Sequence, residues 1–343
     1  MKFLSFFSQE LAMDLGTANT LIIQNEQVVV DEPSIVAIDR STREMIAVGT
    51  RAMMMHEKTH ENIKTIRPLK DGVIADFQAA ELMIQGLIAM IGKKRSFFTH
   101  LKIVICIPSG ITEVEKRAVF DSADHVDSKE TYLIHEPMAA ALGIGLDVEE
   151  PIGNMVIDIG GGTTEIAVIA LSGIVTDQSI RTAGDELTND IIDFMKRKHN
   201  LLIGERTAEQ IKLNVGSALK ELENPPDKYP VNGRDLLTGI PKQVFTTYQE
   251  TAEAIDKAIS KIEEAVLKAL EDTPPELASD IYKTGLYLTG GGALLRGLDK
   301  RLSAKTKLPV HIADDPLRAV VKGTGMALKN THKYSFLIDR KSI

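Results

Sequence analysis

The sequence contains few of the residues that mark specialised classes of protein. One cysteine, Cys106, among 343 residues excludes an internal disulfide and suits a reducing compartment. Tryptophan is absent, and no apolar run approaches the ~18 residues that a transmembrane helix needs. Lysine and arginine (40) are outnumbered by aspartate and glutamate (48), which argues against a general nucleic-acid binder. These absences leave a globular chain that is long enough for two domains.

Short apolar runs alternate along the chain with helical patterns. Apolar β-branched runs predict strands at 11–23 (with a turn inside), 27–31, 34–39, 102–107, 154–159, 165–171 and 283–289. Amphipathic patterns predict helices at 79–93, 112–123, 139–146, 186–199 and 251–270. In the last helix, apolar residues recur at i, i+3, i+4 and i+7, which predicts a core-facing stripe. The alternation predicts an α/β protein whose sheet is buried on both faces.

An approximate internal repeat is the most informative feature of the chain. Residues 13–20 and 157–164 both read as a strand end, then Asp-x-Gly with further glycine and hydroxyl residues, then a second apolar strand. Nearly half of the chain separates their aspartates, Asp14 and Asp158. The repeat predicts two duplicated halves, each with one such hairpin, and a cleft between them.

The two hairpins have the composition of phosphate-binding loops. Glycine lets backbone N–H groups approach an anion, and Thr17, Asn19, Thr163 and Thr164 add side-chain donors. The aspartate at each strand end is a hard oxygen ligand that suits Mg²⁺. Either hairpin alone is equally compatible with a simple tight turn, but two copies with matching aspartates favour phosphate binding.

A third glycine cluster lies at 289–293, with the sequence Thr-Gly-Gly-Gly-Ala, after a predicted strand and before a predicted helix. Such a cluster suits close backbone contact with a nucleotide near its α-phosphate or adenosine. It lacks the Lys-Ser/Thr ending of a P-loop, and the chain has no G-x-G-x-x-G dinucleotide fingerprint. P-loop and Rossmann-type binding are therefore excluded.

Together, these segments resemble the actin/Hsp70/sugar-kinase ATPase superfamily. The motifs that carry the resemblance are the two hairpins, 136–141 (EPMAAA) and 289–292 (TGGG). Within the superfamily, the chain is similar to the MreB family of bacterial actin homologues at 14–20, 66–76, 107–112, 231–242 and 315–321. The resemblance covers nearly the whole chain. It implies an actin-like ATPase fold of class α/β, with duplicated RNase H-like halves and a nucleotide cleft between them.

The resemblance also implies four subdomains. Their expected boundaries are 1–32, 69–146 and 317–343 for IA, 33–68 for IB, 147–184 and 250–316 for IIA, and 185–249 for IIB.

The resemblance implies ATP and Mg²⁺ as cofactors and gives roles to matching residues. Asp14 and Asp158 would hold Mg²⁺ through water. Glu136 would orient or deprotonate the attacking water, and Thr163 would lie beside the γ-phosphate. The implied nucleotide-binding residues are Gly16, Thr17, Ala18, Asn19, Gly160, Gly161, Gly162, Thr163, Asp185, Glu209, Lys212, Gly290, Gly291, Gly292 and Ala293.

Two of these residues, Glu209 and Lys212, match the family pair that faces adenine and ribose. Their i, i+3 spacing alone is more typical of a surface ion pair. The chain departs from the family at His135, where an acidic residue is usual, and at Ala183, where glycine is usual. Neither departure removes an implied catalytic group.

Two aromatic clusters predict contact with a membrane surface. The cluster at 3–7 fits one face of a short helix and is too interrupted for a secretory signal, so we expect an interfacial anchor. The cluster at 97–98 follows three basic residues, which suits an anionic membrane, although a helix end with inward-facing aromatics is the alternative. In the family, a hydrophobic loop at this place contacts the membrane. The predicted contacts are Phe3, Leu4, Phe6, Phe7, Phe97 and Phe98.

Residues 56–60 (HEKTH) match the H-E-x-x-H zinc motif literally. On a helix, the two histidines of this motif would lie on one face and bind zinc. The segment is polar and nothing nearby indicates a third ligand, so a metalloprotease is disfavoured.

The resemblance implies an ATP-dependent cytoskeletal protein of the cytoplasm. Its subunits would join head-to-tail into filaments, and slow ATP hydrolysis would be coupled to assembly. The filaments would lie on the inner face of the cell membrane and determine rod shape by organising peptidoglycan synthesis with membrane proteins of the cell-elongation machinery. A small-molecule kinase of the same superfamily is the alternative, but no further motif indicates a substrate. An Hsp70-like chaperone is disfavoured because the residues after 330 are too few for a peptide-binding domain.

Overall fold

The computed structural model describes residues 8–92, 100–126 and 128–340. Its strands are β1 Ser8–Leu15, β2 Asn19–Gln24, β3 Gln27–Pro33, β4 Val36–Asp39, β5 Met45–Val48, β6 Ile63–Ile66, β7 Leu69–Lys70, β8 Val73–Ile74, β9 His100–Ile107, β10 Ser128–His135, β11 Asn154–Ile159, β12 Thr164–Ala170, β13 Gly173–Ile180, β14 Leu201–Leu202, β15 Tyr229–Asp235, β16 Pro241–Thr246, β17 Leu286–Thr289, β18 Val310–Ile312 and β19 Ile338–Arg340.

Its α-helices are α1 Thr50–Met55, α2 Phe77–Met90, α3 Glu113–Asp124, α4 Glu136–Gly143, α5 Gly184–His199, α6 Glu205–Val215, α7 Tyr248–Glu271, α8 Pro275–Thr284, α9 Leu298–Thr306 and α10 Ala319–Lys329. Within the described residues, short 3₁₀ helices lie at Gly291–Leu294 and Pro316–Arg318.

The two large sheets share a topology over five strands, and the antiparallel β19 adds a sixth strand to the first sheet. The first has the order β19-β10-β9-β1-β2-β3, and the second has the order β13-β12-β11-β17-β18. In each sheet an antiparallel three-strand meander (β1–β2–β3 or β11–β12–β13) is extended by parallel strands, β9 and β10 in one and β17 and β18 in the other. This equivalence confirms the duplication that the sequence repeat predicts.

The central strands are largely apolar because both of their faces are covered. Every residue of β11 and β12 is buried. Helix α7 covers one face of the second sheet, and its predicted stripe is fully buried from Ile255 to Val266, with Leu270 partly buried at its end. An α/β architecture with helices on both faces follows from these runs.

Helices α4 and α10 pack against each other and share one hydrophobic core with residues of both large sheets. Helix α4 begins at Glu136, three residues before the start that its pattern predicts. Pro137 explains the difference, because proline fixes a helical φ and is favoured in the first turn of a helix. This earlier start places Glu136 at the junction of β10 and α4.

Smaller sheets extend from each half. Strands β5-β4-β6 form one with α1 beside it, and β14-β15-β16 form another near α5 and α6. The two-stranded β7–β8 hairpin lies between the first small sheet and α2 along the chain.

Candidate functional site

Two hairpin turns, one in each half, form the centre of the site. In the first, β1 pairs with β2 so that Leu15 opposes Thr20, and in the second, Ile159 opposes Thr164. Asp14 and Asp158 therefore occupy equivalent places, each one residue before the end of its strand. The two copies of the sequence repeat therefore form structurally equivalent turns.

Glycine residues, which have no Cβ, let the two turns approach each other. A Cβ on Gly161 would lie 2.6 Å from the Cβ of Ala18, and a Cβ on Gly162 would lie 2.6 Å from Thr17 Oγ1. Both distances are shorter than real Cβ contacts, so only glycine fits here. The structure brings together the loops that the sequence predicts to face each other.

Two hydrogen bonds from Ser34 fix the first loop. Ser34 Oγ donates to the carbonyl of Gly16 (2.6 Å), and the Ser34 N–H donates to the carbonyl of Ala18 (2.9 Å). Asn19 lies exposed at the start of β2. Ser34 therefore holds the loop at two carbonyls, while Thr17 faces the second loop.

A third turn, which sequence reasoning missed, meets both loops. Asp71 and Gly72 connect β7 to β8 with φ values of 52° and 80°. The Gly72 N–H donates to Thr17 Oγ1 (3.1 Å), and a Cβ on Gly72 would lie 2.7 Å from Thr163 Cγ2. The available signal was the Asp-Gly dipeptide, which favours a tight hairpin turn.

Three polar groups of the first half lie close together beside the first hairpin. The ligand atoms of Asp14, Cys106 and Glu136 all lie within 4.8 Å of one another. Cys106 Sγ donates to Asp14 Oδ1 (3.1 Å). Burial raises the pKa of Asp14 to about 6, and the thiol hydrogen bond offsets part of that rise. Burial together with nearby carboxylates raises the pKa of Cys106, so the thiol stays protonated.

The second half adds a buried carboxyl group. Burial raises the pKa of Asp158 to about 7, opposed by the hydrogen bond that Thr289 Oγ1 donates to Asp158 Oδ1 (2.8 Å). Burial, and then the negative charges of Glu165, Asp14 and Asp158, raises the pKa of Glu136 well above its usual value. These carboxyl groups lie close together in a low-dielectric place, and a divalent cation with oxygen ligands fits such a donor set.

Glu165 is a second residue that sequence reasoning missed. It is fully buried on β12, opposite Asp158. Its carboxylate accepts hydrogen bonds from the Ser109 N–H (3.1 Å), Ser109 Oγ (2.6 Å) and Ser179 Oγ (2.7 Å). It therefore joins the segment after β9 to the second half. Its signal was a single acidic residue inside an apolar strand.

The start of α5 is attached to the second loop. The N–H groups of Gly184 and Asp185 donate to the carbonyls of Gly160 (3.1 Å) and Gly161 (2.8 Å). Burial raises the pKa of Asp185, and the positive charges of Arg67 and Lys212 oppose that rise. The extended backbone at this point accommodates the alanine that stands where the family has glycine, Ala183.

Helix α6 lies beside α5. Lys212 Nζ contacts Glu209 Oε2 (2.7 Å) and also donates to the Gly184 carbonyl (2.8 Å) and to Thr188 Oγ1 (2.9 Å). Thr188 in turn donates to Glu209 Oε2 (2.8 Å). The Glu209–Lys212 pair is thus tied to the start of α5 rather than left as an isolated surface ion pair.

The third glycine cluster packs against the second hairpin. Gly290 has a φ of 77°, and a Cβ there would lie 2.7 Å from Asp158 Oδ1. A Cβ on Gly292 would overlap Ile159. Residues Gly291–Leu294, which include the buried Ala293, form a 3₁₀ turn rather than the first turn of a long helix. The cluster therefore lies at the second loop.

Residues 56–60 do not form the helical zinc motif, in agreement with the interpretation of the sequence. Helix α1 ends at Met55, so His56 and His60 do not share a helical face. His56 Nδ1 lies 2.9 Å from Thr65 Oγ1, and its Nε2 lies 3.2 Å from Glu205 Oε2. His60 Nδ1 accepts from the backbone N–H of Asn62 instead.

The predicted membrane contacts Phe3, Leu4, Phe6, Phe7, Phe97 and Phe98 lie outside the described residues. Among the helices of the described ranges, none combines the length and the apolar composition that crossing a bilayer requires.

Comparison with known proteins places these observations in a family. The family model for the MreB/Mbl protein matches residues 8–335. The cell shape-determining protein MreB of Escherichia coli is 46% identical over 338 residues, which is 96% of this chain and 95% of that protein.

Solved structures of related proteins agree with this family assignment. MreB 5 of Spiroplasma citri bound to AMPPNP has a TM-score of 0.90 and 37% identity over 96% of this chain and 98% of its own. The MamK double helical filament has the same fold, with a TM-score of 0.78 and 20% identity over 95% of this chain and 99% of its own. The chain has an actin-like fold and belongs to the MreB/Mbl family.

Proposed function

We propose that the protein binds ATP with Mg²⁺ between its two hairpin loops and hydrolyses it slowly. The observation that carries this proposal is the approach of the loops at Gly161 and Gly162, with Asp14 and Asp158 at equivalent places behind them. The AMPPNP-bound relative of Spiroplasma citri supports the choice of nucleotide.

The residues fit a metal–phosphate group by their chemistry. Asp14 and Asp158 would hold Mg²⁺, whose charge neutralises phosphate oxygens during phosphoryl transfer. Backbone N–H groups of both glycine loops, with the hydroxyls of Thr17 and Thr163, would bind the β- and γ-phosphates. The crowded carboxyl groups support this assignment, because burial and the negative charges of their neighbours raise the pKa values of Glu136 and Asp158, and a divalent cation would offset those charges.

Glu136 would orient the attacking water and accept its proton. Its position in the first turn of α4, within 4.8 Å of the Asp14 and Cys106 ligand atoms, puts it beside the proposed metal. A raised pKa makes a carboxylate a better proton acceptor, which suits this role. Thr163, in the second loop, would lie beside the γ-phosphate.

The nucleoside would lie toward α5 and α6. Asp185, Glu209 and Lys212 meet there and contact the second loop through Gly184. The glycine cluster from Gly290 to Ala293 would pass close to the α-phosphate or adenosine, because it offers backbone without side chains.

We further propose that ATP-bound subunits assemble head-to-tail into filaments on the inner membrane surface and help to determine cell shape by organising peptidoglycan synthesis. The name of the Escherichia coli relative and the filament of MamK support the cytoskeletal part. Contact through Phe3, Leu4, Phe6, Phe7, Phe97 and Phe98, partners in the elongation machinery, a cytoplasmic location and the division into subdomains IA, IB, IIA and IIB belong to the same proposal.

Pelleting with ATP and Mg²⁺, with and without anionic liposomes, tests the proposal. We expect nucleotide-dependent pelleting that liposomes enhance, and phosphate release that Glu136→Ala abolishes while Glu150→Ala, at an exposed carboxylate, preserves it. A protein that stays monomeric under every condition and phosphorylates an added metabolite would instead be a small-molecule kinase.

A further inference from the structure

A polar cluster joins two chain segments that lie more than 130 residues apart in sequence. His56 and Glu57, after α1, and Arg67, after β6, belong to the first half. Gly204 and Glu205, at the start of α6, belong to the second half. The cluster uses part of the H-E-x-x-H segment for which the zinc hypothesis fails.

Both carboxylate oxygens of Glu205 are engaged from the opposite half. Arg67 Nη2 donates to Glu205 Oε1 in an ion pair. His56 Nε2 lies 3.2 Å from Glu205 Oε2, while its Nδ1 lies 2.9 Å from Thr65 Oγ1. The side chains of Arg67 and Glu205 are 22% and 30% exposed, so water only partly screens the pair.

The opposite half also caps helix α6. The residue at the N-cap position is Gly204, which has no side chain to accept a backbone N–H. Glu57 Oε1 takes that place and accepts the Glu205 N–H at 3.4 Å. A Cβ on Gly204 would overlap the Glu57 carboxylate, so the glycine makes room for this cap. A carboxylate at a helix N-terminus is also favoured by the helix dipole.

Glu57 adopts an unusual backbone conformation to reach α6. Its φ is 60°, in the left-handed region that residues with a Cβ rarely occupy. Backbone strain of this kind persists where the surrounding contacts enforce it. The strain therefore agrees with a carboxylate held in place by its contact with the helix.

Helix α6 connects this cluster to the proposed nucleotide site. One turn after Glu205 the same helix carries Glu209, followed by Lys212, which donates to the Gly184 carbonyl beside the second loop. Arg67 also lies close enough to Asp185 for its charge to affect that carboxyl group. Fixing the first turn of α6 thus restrains the residues assigned to the nucleoside.

We propose that His56, Glu57 and Arg67 are positioning residues that hold the start of α6 from across the cleft and slow nucleotide release. This inference rests on the proposed function, because it concerns how long the same site retains ATP. The bound state requires the halves to stay together, and the cluster supplies contacts between them beyond the nucleotide itself.

Release of a fluorescent ATP analogue tests the inference. The full-length protein is loaded with mant-ATP and Mg²⁺ below its assembly concentration and chased with unlabelled ATP. We expect about tenfold faster release for Arg67→Ala and Glu205→Ala, because each removes a partly buried charged hydrogen bond. The double variant should release no faster than either single variant, because the two residues act as one pair.

Matched controls separate this effect from a general loss of charge. Glu57→Ala should accelerate release several-fold, whereas Glu61→Ala and Arg206→Ala, at exposed side chains nearby, should match the wild type. The exchanged pair Arg67→Glu with Glu205→Arg should recover only part of the slow release, because it restores the ion pair but neither the His56 contact nor the positive charge near Asp185. Melting temperatures without nucleotide identify any variant that has merely unfolded, and Glu57→Gln provides a milder substitution.

The outcomes distinguish the two proposals. A wild type that does not bind mant-ATP overturns the nucleotide function and the inference with it. Normal binding with wild-type release rates in Arg67→Ala, Glu205→Ala and Glu57→Ala overturns the inference alone. Faster release in the two control variants as well would also overturn it, since the effect would not belong to this cluster.

Discussion

The crossing of α4 and α10 gives the sharpest test of the packing. A Cβ on Gly143 would lie 1.8 Å from the carbonyl oxygen of Ala319, and a Cβ on Gly323 would lie 1.8 Å from the carbonyl oxygen of Ala139. The two helices therefore touch through their backbones, inside the core that both large sheets share. Substituting Gly323→Ala inserts a methyl group into this contact.

The obstacle to that methyl group is backbone, which cannot rotate away. The carbonyl of Ala139 must withdraw by more than about 1 Å, so the cost should lie at the upper end of the roughly 1–3 kcal/mol typical of overpacking. Gly325→Ala, two residues along the same helix, is the matched control, because a Cβ there would meet Ile23 at an ordinary 3.5 Å. Both substitutions gain the same helix propensity, roughly 1 kcal/mol. The difference between them should therefore be about 3 kcal/mol in favour of Gly325→Ala.

Thermal unfolding followed by circular dichroism measures this difference. We expect Gly325→Ala to melt at or slightly above the wild-type temperature, and Gly323→Ala to melt several degrees below it. Gly143→Ala should behave like Gly323→Ala, since its contact is the mirror of the first. Equal melting temperatures for Gly323→Ala and Gly325→Ala would refute the backbone contact and the packing argument built on it.

Three further predictions concern the site. Gly161→Ala should weaken ATP binding at least about tenfold by equilibrium titration, because its Cβ would lie 2.6 Å from the Cβ of Ala18 in the first loop. Gly160→Ala is the control and should bind ATP more tightly than Gly161→Ala, because its Cβ would lie 3.3 Å from the carbonyl oxygen of Thr163. Glu136→Gln should slow phosphate release about 100-fold or more and leave ATP affinity nearly unchanged; equal losses of both would contradict its role as a base. Ser109→Ala leaves the buried Glu165 with fewer donors and should lower the free energy of unfolding in urea by about 1–3 kcal/mol, whereas no loss would mean that water replaces the hydroxyl.

The duplicated fold could be predicted because its signals are local. Apolar runs locate the central strands, and the glycines after Asp14 and Asp158 locate the turns that connect them. Strands β10 and β13 escaped prediction because they carry charged and polar residues on their less buried faces. Helix α4 begins three residues before its predicted start because its apolar pattern starts after the Glu-Pro pair.

Part of the site could not be predicted because it depends on tertiary contacts. Glu165 interrupts an apolar strand, and only the position of Ser109 and Ser179 explains how its burial is tolerated. The Asp71-Gly72 turn reads as an ordinary hairpin until the fold brings it to both loops. The cap that Glu57 gives to α6 joins residues that share no sequence pattern at all.

One duplication accounts for both the symmetry and the asymmetry of the molecule. Helices α4 and α10 follow equivalent strands, and their reciprocal contacts pair Gly143 with Ala319 and Gly323 with Ala139, four residues apart on each helix. Asp14 and Asp158 are likewise equivalent, because each lies one residue before the end of its strand. The first turns of the two helices differ, however, since α4 begins with Glu136 and α10 has no acidic residue there. The two equivalent aspartates suit a cation that both halves would hold. Glu136, which has no counterpart in the first turn of α10, suits a single attacking water, so both halves would bind the nucleotide while only the first would supply the base.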